Sequence, residues 1–138
     1  MPGGVDLHSH TTASDGALSP RELVRLAARH GVRVLAITDH DSTEGLAEAM
    51  DEATHHELEI VPGLEINCDV PGSEIHVLGY CVDWHAGWFQ TFLAEQRAER
   101  AARDRTGHGA GVLLRRIRIV RASRNARGHK QEIGRAHV

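Results

Sequence analysis

Asp6 to Gly16 reads DLHSHTTASDG, with His8 and His10 one residue apart and Asp15 close behind. In an extended strand, residues at i and i+2 face the same side, so the two imidazoles can face one ion. Imidazole and carboxylate suit zinc, iron and manganese, and the lack of nearby thiolates speaks against a structural cysteine-zinc site. Polar residues of the same kinds recur: His40 follows the apolar run VLAIT, Glu65 interrupts IVPGLEINC, and His76 interrupts EIHVLG. Singly, each has an ordinary structural explanation: His76 as a hydrogen-bonded core histidine, Glu65 as a rim carboxylate, Asp15 as a turn former. Jointly they point to metal, because an ionised glutamate in an apolar strand is costly unless it is paired or metal-bound.

The elements that must position these residues are well signalled. GGVDLHSH is a short β-prone run. SPRELVRLAARHG is a helix with Ser19 as N-cap, Pro20 at N1, Glu22 at N3 and Gly31 as its stop. VRVLAITDH is apolar on both faces, the pattern of a buried parallel strand. A second helix starts near Asp41 to Glu44 and runs through Leu46, Ala49, Met50 and Ala53, with helix capping as the expected role of Asp41. EIVPGLEINCDV is a strand with an internal Pro-Gly step, PGS a turn, and EIHVLGYCVD a strand able to pair back as a hairpin. From Trp84 the pattern is helical. This order favours an α/β fold with a mainly parallel sheet, whose functional residues gather at the C-terminal strand ends.

At 138 residues the chain suits one domain or part of one, and it has no run long enough to span a membrane. The first ten residues have neither a basic nor an apolar signal region, so the expected compartment is the cytoplasm. Cys68 and Cys81 lie in apolar segments and read as buried free thiols. The net charge of -3 hides a break near Arg105: residues 1–105 carry eighteen acids and eight bases, residues 106–138 eight bases and one acid.

The motifs DLHSHTTASDG, ITDHD, GLEIN and EIHVLGY, in this order, resemble the PHP (polymerase and histidinol phosphatase) family over about residues 4–105, specifically its small stand-alone phosphoesterases. The resemblance implies the N-terminal part of a distorted (β/α)7 barrel holding two or three divalent ions (manganese, zinc or iron) at its C-terminal strand ends. By motif, His8 and His10 would hold a first ion, Glu65 would bridge it to a second that His76 also binds, and Asp15 and His40 would serve a third. Asp6 and Asp39 would hydrogen-bond behind these ligands. The implied activity is phosphoester hydrolysis by ion-activated water, with no side-chain nucleophile. The implied substrates are nucleotide phosphate esters or short 5'-phosphorylated RNA; no membrane or protein partner is indicated. A histidinol-phosphatase-like phosphomonoesterase uses the same ions and is the alternative; a polymerase-fused domain is disfavoured, because nothing polymerase-like follows.

The resemblance also predicts a late histidine in an HP context and a near-terminal Asp-x-His, which this sequence lacks; His108, His129 and His137 stand outside those contexts. Residues 106–138 are therefore expected to be frame-shifted or adapter-derived rather than native domain sequence. EIGRAHV is one translation of GAGATCGGAAGAGCACACGTC, which contains a widely used sequencing-adapter sequence. A basic RNA-binding arm is the rival reading of that segment. The chain as it stands is expected to be an incomplete, inactive fragment, either inert or merely metal-binding.

Overall fold

The computed structural model describes residues 3–70, 73–106, 123–124 and 130–131. Strands β1 (Gly4–Asp6), β2 (Val32–Ile37), β3 (Glu59–Val70) and β4 (Ser73–Tyr80) form one sheet in the order β1-β2-β3-β4. β1 with β2 and β2 with β3 are parallel, and β3 with β4 is antiparallel. Among the described residues three helices accompany it: α1 (Pro20–Arg29), α2 (Leu46–Ala53) and α3 (Gly87–Thr106). This is the mixed α/β, mainly parallel sheet that the element order indicates, curled into the half-barrel that the family resemblance implies.

The Pro-Gly step in β3 marks a change of partner. Residues through Pro62 pair with β2, and from Gly63 onward the strand pairs with β4. Gly63 is required there, because a Cβ at this position would lie 2.8 Å from the Gly79 carbonyl oxygen. The sheet curls enough for Tyr80 Oη, at the end of one edge strand, to donate to Leu7 O just beyond the other at 2.8 Å.

α1 forms as its caps dictate. Ser19 Oγ accepts from the Glu22 amide, the Glu22 carboxylate accepts from the Ser19 amide, and Gly31 takes a positive φ of 76° beyond the C-terminus. Val24 and Ala27 of α1, Leu46, Ala49 and Ala53 of α2, and Leu35 and Ile37 of β2 form one core with Leu58. Leu64 packs with Phe89 and Leu93 of α3 in a smaller one.

Four expectations are corrected. α2 begins at Leu46 behind Gly45, with no side-chain cap, rather than near Asp41 to Glu44. The chain first continues alongside β3: His40 bridges to Glu65, and the Asp41 amide donates to Glu65 O, with Asp41 at φ 47°. Asp41 therefore does not cap α2; Arg97 of α3 donates to its carbonyl and Arg100 pairs with its carboxylate at 3.5 Å. Cys68 is buried, but Cys81 is exposed where the chain leaves β4. The second of the two helical starts also moves, from Trp84 to Gly87, after a turn in which the Ala86 amide donates to Asp83 O.

No described helix is long and apolar enough to cross a membrane. Of the basic segment, only Thr106 and the paired strands β5 (Ser123–Arg124) and β6 (Lys130–Gln131) are described. The expectation about the origin of residues 106–138 otherwise lies outside the described residues.

Candidate metal centre

The segment leaving β1 is fixed against β2 through Ser9. Its Oγ donates to Ala36 O at 2.6 Å, its carbonyl accepts from the Thr38 amide at 2.8 Å, and its amide donates to Thr38 Oγ1. With Ser9 turned toward β2, alternation sends His8 and His10 to the opposite side. Their Nε2 atoms lie 2.9 Å apart, and 3.2 and 3.0 Å from Glu65 Oε2. The other Glu65 oxygen lies 2.6 Å from His76 Nδ1.

Thr11 to Gly16 then folds into a loop pinned by Asp39. That buried carboxylate accepts from the Thr11 amide and hydroxyl, both at 2.7 Å, and from Ser14 Oγ at 2.6 Å. Gly16 closes the loop with its amide on Thr11 O, so close to the His10 backbone that a Cβ would meet His10 O at 2.4 Å. The loop delivers Asp15, whose carboxylate oxygens lie 3.1 Å from His10 Nδ1 and 3.5 Å from His40 Nε2.

All six expected ligands thus meet at one end of the sheet. Their ligating atoms fall into three overlapping groups, each within 4.8 Å: His8, His10 and Glu65; His10, Asp15 and His40; His40, Glu65 and His76. The donor set fits a divalent ion of the zinc, iron or manganese class. Two imidazole nitrogens and a carboxylate oxygen converging within about 3 Å is also a lone-pair crowd that a shared cation relieves.

Burial pushes the Glu65 carboxyl up, but His76, His40 and His8 outweigh it and hold the group below its ordinary value. Asp15 is likewise raised by burial and, on balance, lowered by His40, His10 and Ser14. Both are carboxylates at neutral pH.

Asp6 and Asp39 do not bond to ligand rings: Asp6 accepts from the His8 backbone amide at 3.1 Å, and Asp39 holds the Asp15 loop. The remaining described histidines stand apart. His30, His55 and His85 are exposed, and His56 bonds to Glu52. One residue at the centre went unnoticed in sequence. Asn67 is buried on β3, with its Oδ1 2.7 Å from His40 Nδ1. Its signal is position: two residues after Glu65 on one strand, it shares that residue's face.

The PHP domain model matches residues 6–137. The 5'-3' exoribonuclease of Salmonella typhimurium is 38% identical over 133 residues, covering 90% of this chain and 45% of that protein. The 3',5'-nucleoside bisphosphate phosphatase of Chromobacterium violaceum is 39% identical over 79 residues, covering 57% of this chain and 28% of that protein. A solved protein of Bifidobacterium adolescentis, assigned as a metal-dependent phosphoesterase, superposes with a TM-score of 0.68 at 34% identity, over 75% of this chain and 36% of its own. The chain spans less than half the length of these curated relatives. With a family match across nearly its whole length, four ordered motifs and the half-barrel that carries them, the chain belongs to the PHP domain family.

Proposed function

We propose that these residues are the N-terminal ligand set of a metal-dependent phosphoesterase, and that the complete protein hydrolyses nucleotide phosphate esters or short 5'-phosphorylated RNA. The observation that carries this reading is the convergence of four imidazoles and Asp15 around buried Glu65, whose described ion pairs are all with histidines. Divalent ions bound there would supply Lewis acidity toward a phosphoryl oxygen and activate water. Glu65 turns one oxygen to His8 and His10 and the other to His76, so one carboxylate can serve two ions. Asp15 and His40 are ligands for a further ion. The hydroxyls of Ser9 and Ser14 donate to Ala36 O and Asp39, an arrangement in keeping with ion-activated water as the nucleophile.

The substrate class is supported by the two relatives, one named for RNA and the other for nucleoside bisphosphates. We assign the 138-residue chain on its own to ion binding without turnover, since it matches only 45% of the exoribonuclease. The test is manganese-supported hydrolysis of a nucleoside 3',5'-bisphosphate and of short 5'-phosphorylated RNA by the complete protein. Activity abolished by His8→Ala and by Glu65→Ala is the expected result, and activity indifferent to both sinks the reading. Preferential cleavage of histidinol phosphate would move the substrate to the alternative. Turnover by the 138-residue chain would overturn the fragment assignment.

A further inference from the structure

We propose that Asn67 is a positioning residue that sets the tautomer of His40 and so decides which ion group His40 serves. The overlapping groups pose a problem of supply. His40 belongs by distance to both the Asp15 side and the Glu65–His76 side, but a neutral imidazole has one proton and one ligating lone pair. Asn67 resolves it. Its Oδ1 lies 2.7 Å from His40 Nδ1, and a carbonyl oxygen can only accept, so the ring proton sits on Nδ1. The free lone pair is then on Nε2, the atom 3.5 Å from Asp15 Oδ2. The His40 atom that approaches Glu65, at 3.7 Å, is the protonated Nδ1, so it repels a cation there.

Position and burial support the same role. Asn67 is 5% exposed on β3, two residues from Glu65, and sits opposite His76 in the hairpin register. A buried amide is retained where its hydrogen bonds are needed. Fixing a ligand histidine by bonding its second nitrogen is a general device of metal sites, and loss of such a partner costs about 10–100-fold in ion affinity. The consequence is an asymmetric cluster. His40 joins Asp15, and the Glu65–His76 pair relies for further ligands on groups other than His40.

The experiment is long-range 1H–15N correlation on the histidine rings of the 138-residue chain, above the titration range of imidazole, first ion-free and then with zinc. Ion-free, His40 should show a protonated Nδ1 and a bare Nε2; the opposite tautomer overturns the proposal. On adding zinc, His40 Nε2 should shift while Nδ1 keeps its proton, and coordination through Nδ1 overturns it equally. Asn67→Leu should scramble the tautomer and weaken zinc binding about 10–100-fold. Asn67→Asp, which keeps an acceptor at the same place, should restore both, and circular dichroism confirms that each variant is folded. A tautomer unchanged in Asn67→Leu sinks the idea. The second step rests on the metal reading: if zinc moves no histidine ring, that reading fails while the ion-free tautomer still judges the role of Asn67.

Discussion

Two glutamates are buried in this small fold, one on α2 and one on β3, and their surroundings differ in kind. Glu52, on α2, is 5% exposed and faces mainly guanidinium groups: Arg25 Nε and Nη2 donate to its two oxygens at 2.8 and 3.2 Å and Arg21 Nε lies at 3.6 Å, with the single imidazole of His56 at 3.1 Å. Glu65, on β3, is 3% exposed and faces imidazoles from three other segments. An arginine is always charged, so Glu52 is permanently paired and ties α1 to α2. A neutral imidazole brings a lone pair instead, so Glu65 stands in a ring of groups that a cation would satisfy. The identity of the partners, more than burial, separates the carboxylate that ties two helices from the one proposed to hold ions.

The largest effect that would break this contrast concerns ion affinity. Glu65→Gln removes the carboxylate shared by two ligand groups, and because loss of a mere supporting residue costs about 10–100-fold, zinc or manganese affinity should fall by more than about 100-fold. Glu52→Gln should leave affinity unchanged and lower the melting temperature. Isothermal titration and thermal melts on both variants settle it; equal losses of affinity would erase the distinction. Next in size is Leu46→Ala in the core that α2 shares with α1 and β2, where deletion of a fully buried side chain should cost about 2–5 kcal/mol in urea unfolding. Its ion affinity, measured where the variant is still folded, should not change.

How much of this was legible follows the same divide. The motif residues could be read because their chemistry is visible in type and spacing: His8 with His10, and a glutamate in an apolar strand. α1 was legible for its capping box, and β2 for its two-sided apolar run. What escaped depended on tertiary partners. The start of α2 shifts because residues 40–41 stay beside β3, a pairing that no local propensity encodes. Asn67 looked like any polar strand residue until His40 was placed against it. The long β3 was visible, but its division between a parallel and an antiparallel partner at Pro62–Gly63 was only hinted at by the Pro-Gly step.

A third buried carboxylate, Asp39, is satisfied among the described residues by neutral donors: the Thr11 amide, the Thr11 hydroxyl and the Ser14 hydroxyl. Asp39→Ala strands the Thr11 amide without this acceptor, for about 1–3 kcal/mol of stability. Because the same loop carries Asp15, ion contacts at His40 should weaken more than those at His8. Zinc-induced shifts of the two rings compare them directly, and equal weakening would reduce Asp39 to a general stabiliser.

The smallest effect is the pH dependence of the α1–α2 clasp. The Arg25 hydrogen bonds, aided by His56 and by the charges of Arg25 and Arg21, overcome burial and hold Glu52 at about 2, against its ordinary 4.5. A carboxyl lowered in the folded state binds protons more readily when unfolded, so acid favours unfolding. The contribution of Glu52 is therefore complete above about 4.5 and is lost progressively as the pH falls toward about 2. The melting curve of the wild-type chain alone does not isolate it. The difference in melting temperature between wild type and Glu52→Gln does. It should be constant from neutral pH down to about 5 and shrink below that, since the variant lacks the group whose protonation weakens the clasp. Arg25 is half exposed, and solvent and salt screen such a pair, so the difference should also diminish at high ionic strength. A gap that stays constant into acid would mean that the glutamate is held by packing rather than by its charge, and the contrast with Glu65 would then rest on geometry alone.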